Sequence, residues 1–147
     1  MSRLQDEAAI VTGEASGIGN EIAYAFAREG AMVVIADLKK DAAEAAAAEI
    51  ITSSGIAIGG AMDVSDETAV NAGVDAAHSA HGRIDILVSN AGVQIVHPLD
   101  SFPFTEGKKM HAVHLDGAFM TTKACLKHTY AAGPAGSGCV VSEPARM

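Results

Sequence analysis

Residues 12–19 read Thr12-Gly13-Glu14-Ala15-Ser16-Gly17-Ile18-Gly19 and lie between two segments of different character. Upstream, Ala8-Ala9-Ile10-Val11 is a short apolar run suited to a buried strand. Downstream, Ile22, Ala23, Phe26 and Ala27 recur at helical spacing on one face of residues 19–29. Glycines at a strand-to-helix junction permit a tight turn, let the backbone approach a pyrophosphate, and let the helix pack close to the strand. The helix N-terminus then presents its amides to the anion. Gly13, Ser16, Gly17, Ile18 and Gly19 are therefore candidate dinucleotide-binding residues.

Further along, Met32-Val33-Val34-Ile35-Ala36 is a continuous apolar strand that ends at Asp37. A carboxylate there can accept both ribose hydroxyls of the adenosine half. A 2′-phosphate would meet a fixed negative charge, so the expected cofactor is NAD rather than NADP. Glu14 pushes the same way. Asp41 with Glu44 is expected to cap an Ala-rich helix, and a third strand covers Ile56 to Met62. Ser65 opens a helix carrying Val70, Val74 and Ala77, which Gly82 ends. Ile84-Asp85-Ile86-Leu87-Val88 is the fourth strand, followed by a loop with Asn90-Ala91-Gly92 and two prolines. The pattern then predicts one long helix from about Thr105 to Ala132, with Met110, Val113, Leu115, Phe119 and Leu126 able to face inward. Gly138-Cys139-Val140-Val141 reads as a short fifth strand. This alternation predicts an α/β fold: a doubly wound, Rossmann-like parallel sheet, incomplete at about five strands, with helices on both faces and ligands beyond the strands' carboxyl ends. A single domain over residues 1–147 is expected, with 133–147 a divergent tail.

Composition narrows the function. The 147 residues include 10 Lys+Arg and 18 Asp+Glu, a formal charge of −8, with no basic window that would draw in a nucleic-acid backbone. Charged residues at 19% and hydrophobic ones at 49% exclude a disordered chain. No apolar run approaches the ~20 residues of a bilayer span, so no membrane partner is expected. Asp6 and Glu7 stand where a signal peptide would be basic and apolar, which predicts a cytoplasmic protein. Cys125 and Cys139 show no metal spacing and read as reduced and structural. His78 with His81 and His111 with His114 lie three apart, but no third ligand follows at a recognisable spacing, so no metal site is expected.

Two motifs together carry a resemblance. Thr12 to Gly19 resembles the Thr-Gly-x-x-x-Gly-x-Gly signature of the short-chain dehydrogenase/reductase family, and Asn90-Ala91-Gly92 is similar to that family's Asn-Ala-Gly motif. The resemblance implies that Asp63 and Val64 line the adenine pocket, and that Asn90, Ala91 and Gly92 stabilise the central strand and border the cofactor. Asn90 to Pro98, with His114 to Phe119 and Thr121 to Ala124, resembles the bacterial D-3-hydroxybutyrate dehydrogenases within that family. It implies a small hydroxy acid as substrate, its carboxylate held by Gln94. A 3-oxoacyl thioester reductase is an alternative, against which Asp37 argues.

The family's chemistry uses a tyrosine to exchange the proton with the substrate oxygen, and a lysine four residues later. Here Tyr24 is followed at that spacing by Arg28 and Tyr130 by Pro134, so the sequence contains no Tyr-x-x-x-Lys. The resemblance runs to about Ala132 and then fades. Ser142, near the expected catalytic serine, precedes Glu143-Pro144, which departs from the pattern. The expectation is a truncated or frameshifted product, inactive alone; a non-catalytic NAD-binding module and a structural remnant are the alternatives. His114 occupies the position where the family commonly carries a proton-relay asparagine, and imidazole can also donate and accept hydrogen bonds, so it is the candidate catalytic residue. The resemblance also implies that the long helix packs its outer face on a partner. Leaving about 400 Å² of apolar surface open would forfeit roughly 10 kcal/mol of burial. Homo-oligomerisation or association with a full-length subunit is expected.

Overall fold

A computed structural model describes residues 2–13 and 17–133. Glu14, Ser16, Cys139, Ser142 and the expected strand over 138–141 lie outside the described residues. The chain forms a Rossmann-like α/β fold. Its elements are β1 (Ala8–Thr12), α1 (Ile18–Arg28), β2 (Met32–Asp37), α2 (Lys40–Thr52), β3 (Ile56–Ala61), α3 (Glu67–His81), β4 (Ile86–Val88), α4 (Phe104–His111), a π-helical turn (Ala112–Asp116) and α5 (Gly117–Ala131). The four strands are parallel in the order β3-β2-β1-β4, with Ile10 beside Val34 and Leu87.

The strands' period of two divides the apolar residues between two cores. Ile10, Val34, Ala36 and Leu87 face α3 and α5, packing on Val70, Val74, Ala77, Ala124 and Cys125. Val11, Val33, Ile35 and Val88 face the other way, onto Ala23 of α1 and Ala43, Ala46, Ala47 and Ile50 of α2. The alanines let α2 lie close to the sheet. At Gly59 of β3 a Cβ would collide with the Ala43 carbonyl, which is why this strand carries glycine despite its cost.

Several boundaries differ from expectation, each for a local reason. α2 starts at Lys40 without a side-chain cap; Asp41 sits inside its first turn, where it acts on the helix dipole instead. α3 is capped by Asp66, whose side chain accepts from the Ala69 amide at 2.7 Å. Ser65 is held one step earlier, by Asp63 Oδ1 at 2.9 Å from its amide and 2.6 Å from its hydroxyl. The long helix is not continuous. The π turn inserts an extra residue and shifts the helical phase, so Leu115 and Phe119 emerge 62% and 66% exposed rather than inward.

β4 begins at Ile86, because below it a side chain takes over part of the ladder. The buried Asp85 carboxylate accepts from the Ala8 amide at 2.8 Å, while the Asp85 amide donates to the Ala8 carbonyl at 2.9 Å. Arg83 grips the same carboxylate with two nitrogens, at 2.6 and 2.7 Å. Glu7 Oε2 lies 3.6 Å from Arg83 and has no hydrogen-bond partner among the described residues. Burial and the Asp85 charge push the Glu7 carboxyl up. Burial would do the same to Asp85, but Arg83 and the Ala8 amide outweigh it and hold this group below its ordinary range.

Asp85→Asn should cost about 2 kcal/mol in urea unfolding at neutral pH, because the buried carboxylate's charge-assisted bonds from the Ala8 amide and the Arg83 fork are weakened or lost. The contribution of a depressed carboxyl is complete above its unfolded-state pKa and is lost as pH falls through the folded value. The gap between wild type and variant should therefore be widest above about pH 4 and should close on further acidification. A gap independent of pH would contradict this account of Asp85.

Candidate functional site

β1 sits between β2 and β4, so the loops that leave the carboxyl ends of these strands converge. Thr12, fully buried at the end of β1, joins two of them. Its hydroxyl lies 3.4 Å from the Val88 carbonyl and accepts from the Asn90 and Ala91 amides, each at 3.2 Å. The Asn90 side-chain amide returns a bond to the Gly13 carbonyl at 2.9 Å, and the Gly13 amide donates to Ala36 at 2.8 Å. Gly13 has φ 70°, and a Cβ there would collide with Ala91. Its lack of a side chain thus serves both the turn and the close approach of two loops.

Between these loops lies a cleft of about 230 Å³, lined by Gly13, Asp37, Leu38, Met62, Asp63, Val64, Ala91, Gly92, Val93 and Val113. Two carboxylates are fixed at its border: Asp37 Oδ1 accepts from the Lys39 amide at 2.9 Å, and Asp63 Oδ1 is held by Ser65. Gly17, with φ 82°, precedes α1 and offers no side-chain cap, so the first-turn amides of Ile18 and Gly19 have no side-chain acceptor from it. Among the described residues, its chain neighbours aside, no atom lies within 4 Å of where a Cβ on Gly17 would stand. A helix start without a side-chain cap, with a carboxylate one strand away, fits a diphosphate flanked by a ribose.

The structure thus gathers Gly13, Asp37, Asp63, Val64, Ala91 and Gly92 around one cleft. Asn90 lies beneath it, 4% exposed, and its Oδ1 is a buried atom with no hydrogen-bond partner among the described residues. Gln94 is exposed in the following loop and is not part of the lining. His114 is half-buried, with Nε2 2.7 Å from the Val93 carbonyl and 3.1 Å from the Val93 amide. Sequence reading missed Thr12 as a site residue, together with Leu38, Met62, Val93 and Val113. A polar, β-branched residue ending an otherwise apolar strand was the available signal for Thr12. The helical pattern marked Val113 as able to face inward but not as part of the cleft it lines.

Comparison with known proteins gives this arrangement a family. The short chain dehydrogenase profile matches residues 7–142, and the chain belongs to that family, whose fold binds NAD(P). It is 40% identical over 131 residues to D-threitol dehydrogenase of Mycolicibacterium smegmatis, spanning 89% of this chain and 50% of that protein. It is 43% identical over 138 residues to an uncharacterized oxidoreductase of Mycobacterium tuberculosis, spanning 92% of this chain and 54% of the other. A crystal structure of a short-chain type dehydrogenase/reductase from Mycobacterium marinum superposes with a TM-score of 0.90 at 30% identity, covering 94% of this chain and 56% of that one. The chain spans about half the length of the curated relatives it matches.

Thr12→Val keeps the shape of the side chain but removes the acceptor of two amides. It should cost about 3 kcal/mol in unfolding free energy, whereas Thr12→Ser, which keeps the hydroxyl, should cost about 1 kcal/mol. Equal losses in the two variants would show that the methyl group, not the hydroxyl, holds the loops.

Proposed function

We propose that this chain binds NAD by its adenosine half and is the cofactor-binding part of a short-chain oxidoreductase that acts on a small hydroxylated substrate. The observation that carries this reading is the cleft where Asp37, Asp63, Val64 and the Asn90-Ala91-Gly92 loop meet Gly13, close to the uncapped start of α1. In this reading Gly13, Ser16, Gly17, Ile18 and Gly19 would hold the diphosphate. Asp37 accepts from the adenosine ribose, and Asp63 and Val64 border the base. Asp37 disfavours a 2′-phosphate by charge, so NAD is the preferred cofactor. When bound, the nicotinamide supplies a hydride acceptor or donor.

For the substrate, the resemblance around residues 90–124 supports D-3-hydroxybutyrate, with the Gln94 amide donating to the carboxylate. The relative named D-threitol dehydrogenase favours a second reading, a polyol, whose hydroxyls Gln94 can meet as donor or acceptor. We further propose that the 147-residue chain turns over neither by itself. It contains no Tyr-x-x-x-Lys, and absence of the acid/base group alone costs about 10²–10⁴ in rate. His114 does not replace that group in this reading, because its Nε2 is engaged with Val93.

Partner association belongs to the same proposal. Phe119 and Tyr130, 66% and 75% exposed, stand with Ala118 and Leu126 on the outer side of α5. An apolar face of this kind suits a second copy or a full-length subunit.

Calorimetry should give saturable binding of NADH by wild type and weaker binding of NADPH. Asp37→Ala should narrow that preference by about tenfold, the equivalent of one lost or relieved charge contact. Absence of NADH binding would sink the proposal. With NAD and either D-3-hydroxybutyrate or D-threitol, no NADH should form above background; formation with one of them would overturn the inactivity and identify the substrate. In sedimentation velocity the chain should self-associate as its concentration rises, and Phe119→Glu should return it to monomer. A wild type that is monomeric throughout would contradict the role given to α5.

A further inference from the structure

The π turn at Ala112–Asp116 lies where two loops of the cleft touch the same stretch of helix. Val113 lines the cleft itself. His114 meets Val93, in the loop after β4, through Nε2. Gly117, the first residue of α5, is buried against Val64, in the loop after β3. A Cβ on Gly117 would stand 3.0 Å from Val64 Cγ2, 3.1 Å from its Cβ and 3.2 Å from its carbonyl oxygen. Within five residues, one helical segment therefore contacts the cleft and both loops that form its sides.

We propose that this π turn sets the width of the dinucleotide cleft, with Gly117 and His114 as its two positioning residues. π-helical turns are uncommon, and they break the i→i−4 ladder at a cost that recurs mostly where a function is served. Here the inserted residue changes the phase between the two contacts, so that His114 reaches one loop while Gly117 seats the other. Glycine inside a helix is unfavourable relative to alanine, and the approach of Val64 supplies the reason it is kept. At the other contact a single ring nitrogen faces both the amide and the carbonyl of Val93. It accepts from the first as a bare nitrogen or donates to the second as N–H, but does not do both in one tautomer. A side-chain amide at position 114 has a separate donor and acceptor and can satisfy both.

The inference rests on reading this cleft as the adenosine-side dinucleotide site, and its test keeps the two apart. The 147-residue chain and three variants, Gly117→Ala, His114→Ala and His114→Asn, are titrated with ADP-ribose by calorimetry and melted without ligand. Gly117→Ala presses Val64 toward the cleft, and ADP-ribose should bind at least about fivefold more weakly although the melting temperature is unchanged or higher, since alanine favours the helix. His114→Ala should weaken binding about threefold and speed hydrogen exchange at the Val93 amide, and His114→Asn should restore both. This split between affinity and stability is not expected of a residue that only packs. Wild type that fails to bind ADP-ribose overturns the reading of the site, and the inference with it. Wild type that binds, with Gly117→Ala folded and binding equally well, overturns the inference alone. Should Gly117→Ala not fold, the His114 variants decide: affinity and Val93 exchange unchanged in His114→Ala overturn the proposal, and loss with rescue by asparagine supports it.

Discussion

The fold's working end depends on one hydroxyl. Thr12 closes β1 with a group that faces the Val88 carbonyl and accepts two amides from the loop after β4. Thr12 is fully buried, so the geometry of the loop follows from the position of this one oxygen. Gly13 then turns the chain at φ 70° directly against Ala91, and Asn90 reaches back to the Gly13 carbonyl. Two loops far apart in sequence, after Thr12 and after Val88, become one surface. The central position of β1 in the sheet makes this possible, because its neighbours on either side deliver Asp37 and Asn90 to the same edge.

The opposite edge of the sheet is fastened by charge instead. Asp85 receives the Ala8 amide and the Arg83 fork at the foot of β1 and β4. The two strands are thus clamped at both ends by side chains, with only three registered residue pairs between them, from Ala9 with Ile86 to Val11 with Val88. So short a ladder gives little backbone hydrogen bonding, and the polar clamps fix the register that a longer strand would fix by itself. Thr12 and Asp85 are both buried, so loss of the groups they bind leaves a polar atom inside the protein, whereas Arg83 keeps its contact with solvent.

The sequence's legibility follows the range of the interactions involved. Strand positions and buried faces could be read because a period of two is a local property: Val33 and Ile35 against Val34 and Ala36 separate in the sequence as they do in the structure. The glycine turn could be read for the same reason. The cap of α3 was misplaced by one residue, because Ser65 and Asp66 are both good caps and only the competing demand of Asp63 for Ser65 decides between them. The π turn was invisible. It accompanies contacts of His114 and Gly117 with residues 21 and 53 positions earlier, and no local propensity encodes these.

Glycine at 59 and at 117 has the same physical meaning in two different elements. In β3 it brings α2 onto the sheet at Ala43, and at the start of α5 it brings the helix onto Val64. Both positions are unfavourable by local propensity, one in a strand and one in a helix, and neither requires a positive φ. Their common feature is an approach too close for a Cβ, so tertiary packing outweighs the local preference at each. The consequences differ with place. Gly59 sets the packing of α2 on the sheet, whereas Gly117 sets the position of Val64, which lines the cleft. The same violation of propensity therefore serves helix packing in β3 and, in the role proposed for the π turn, the cleft in α5.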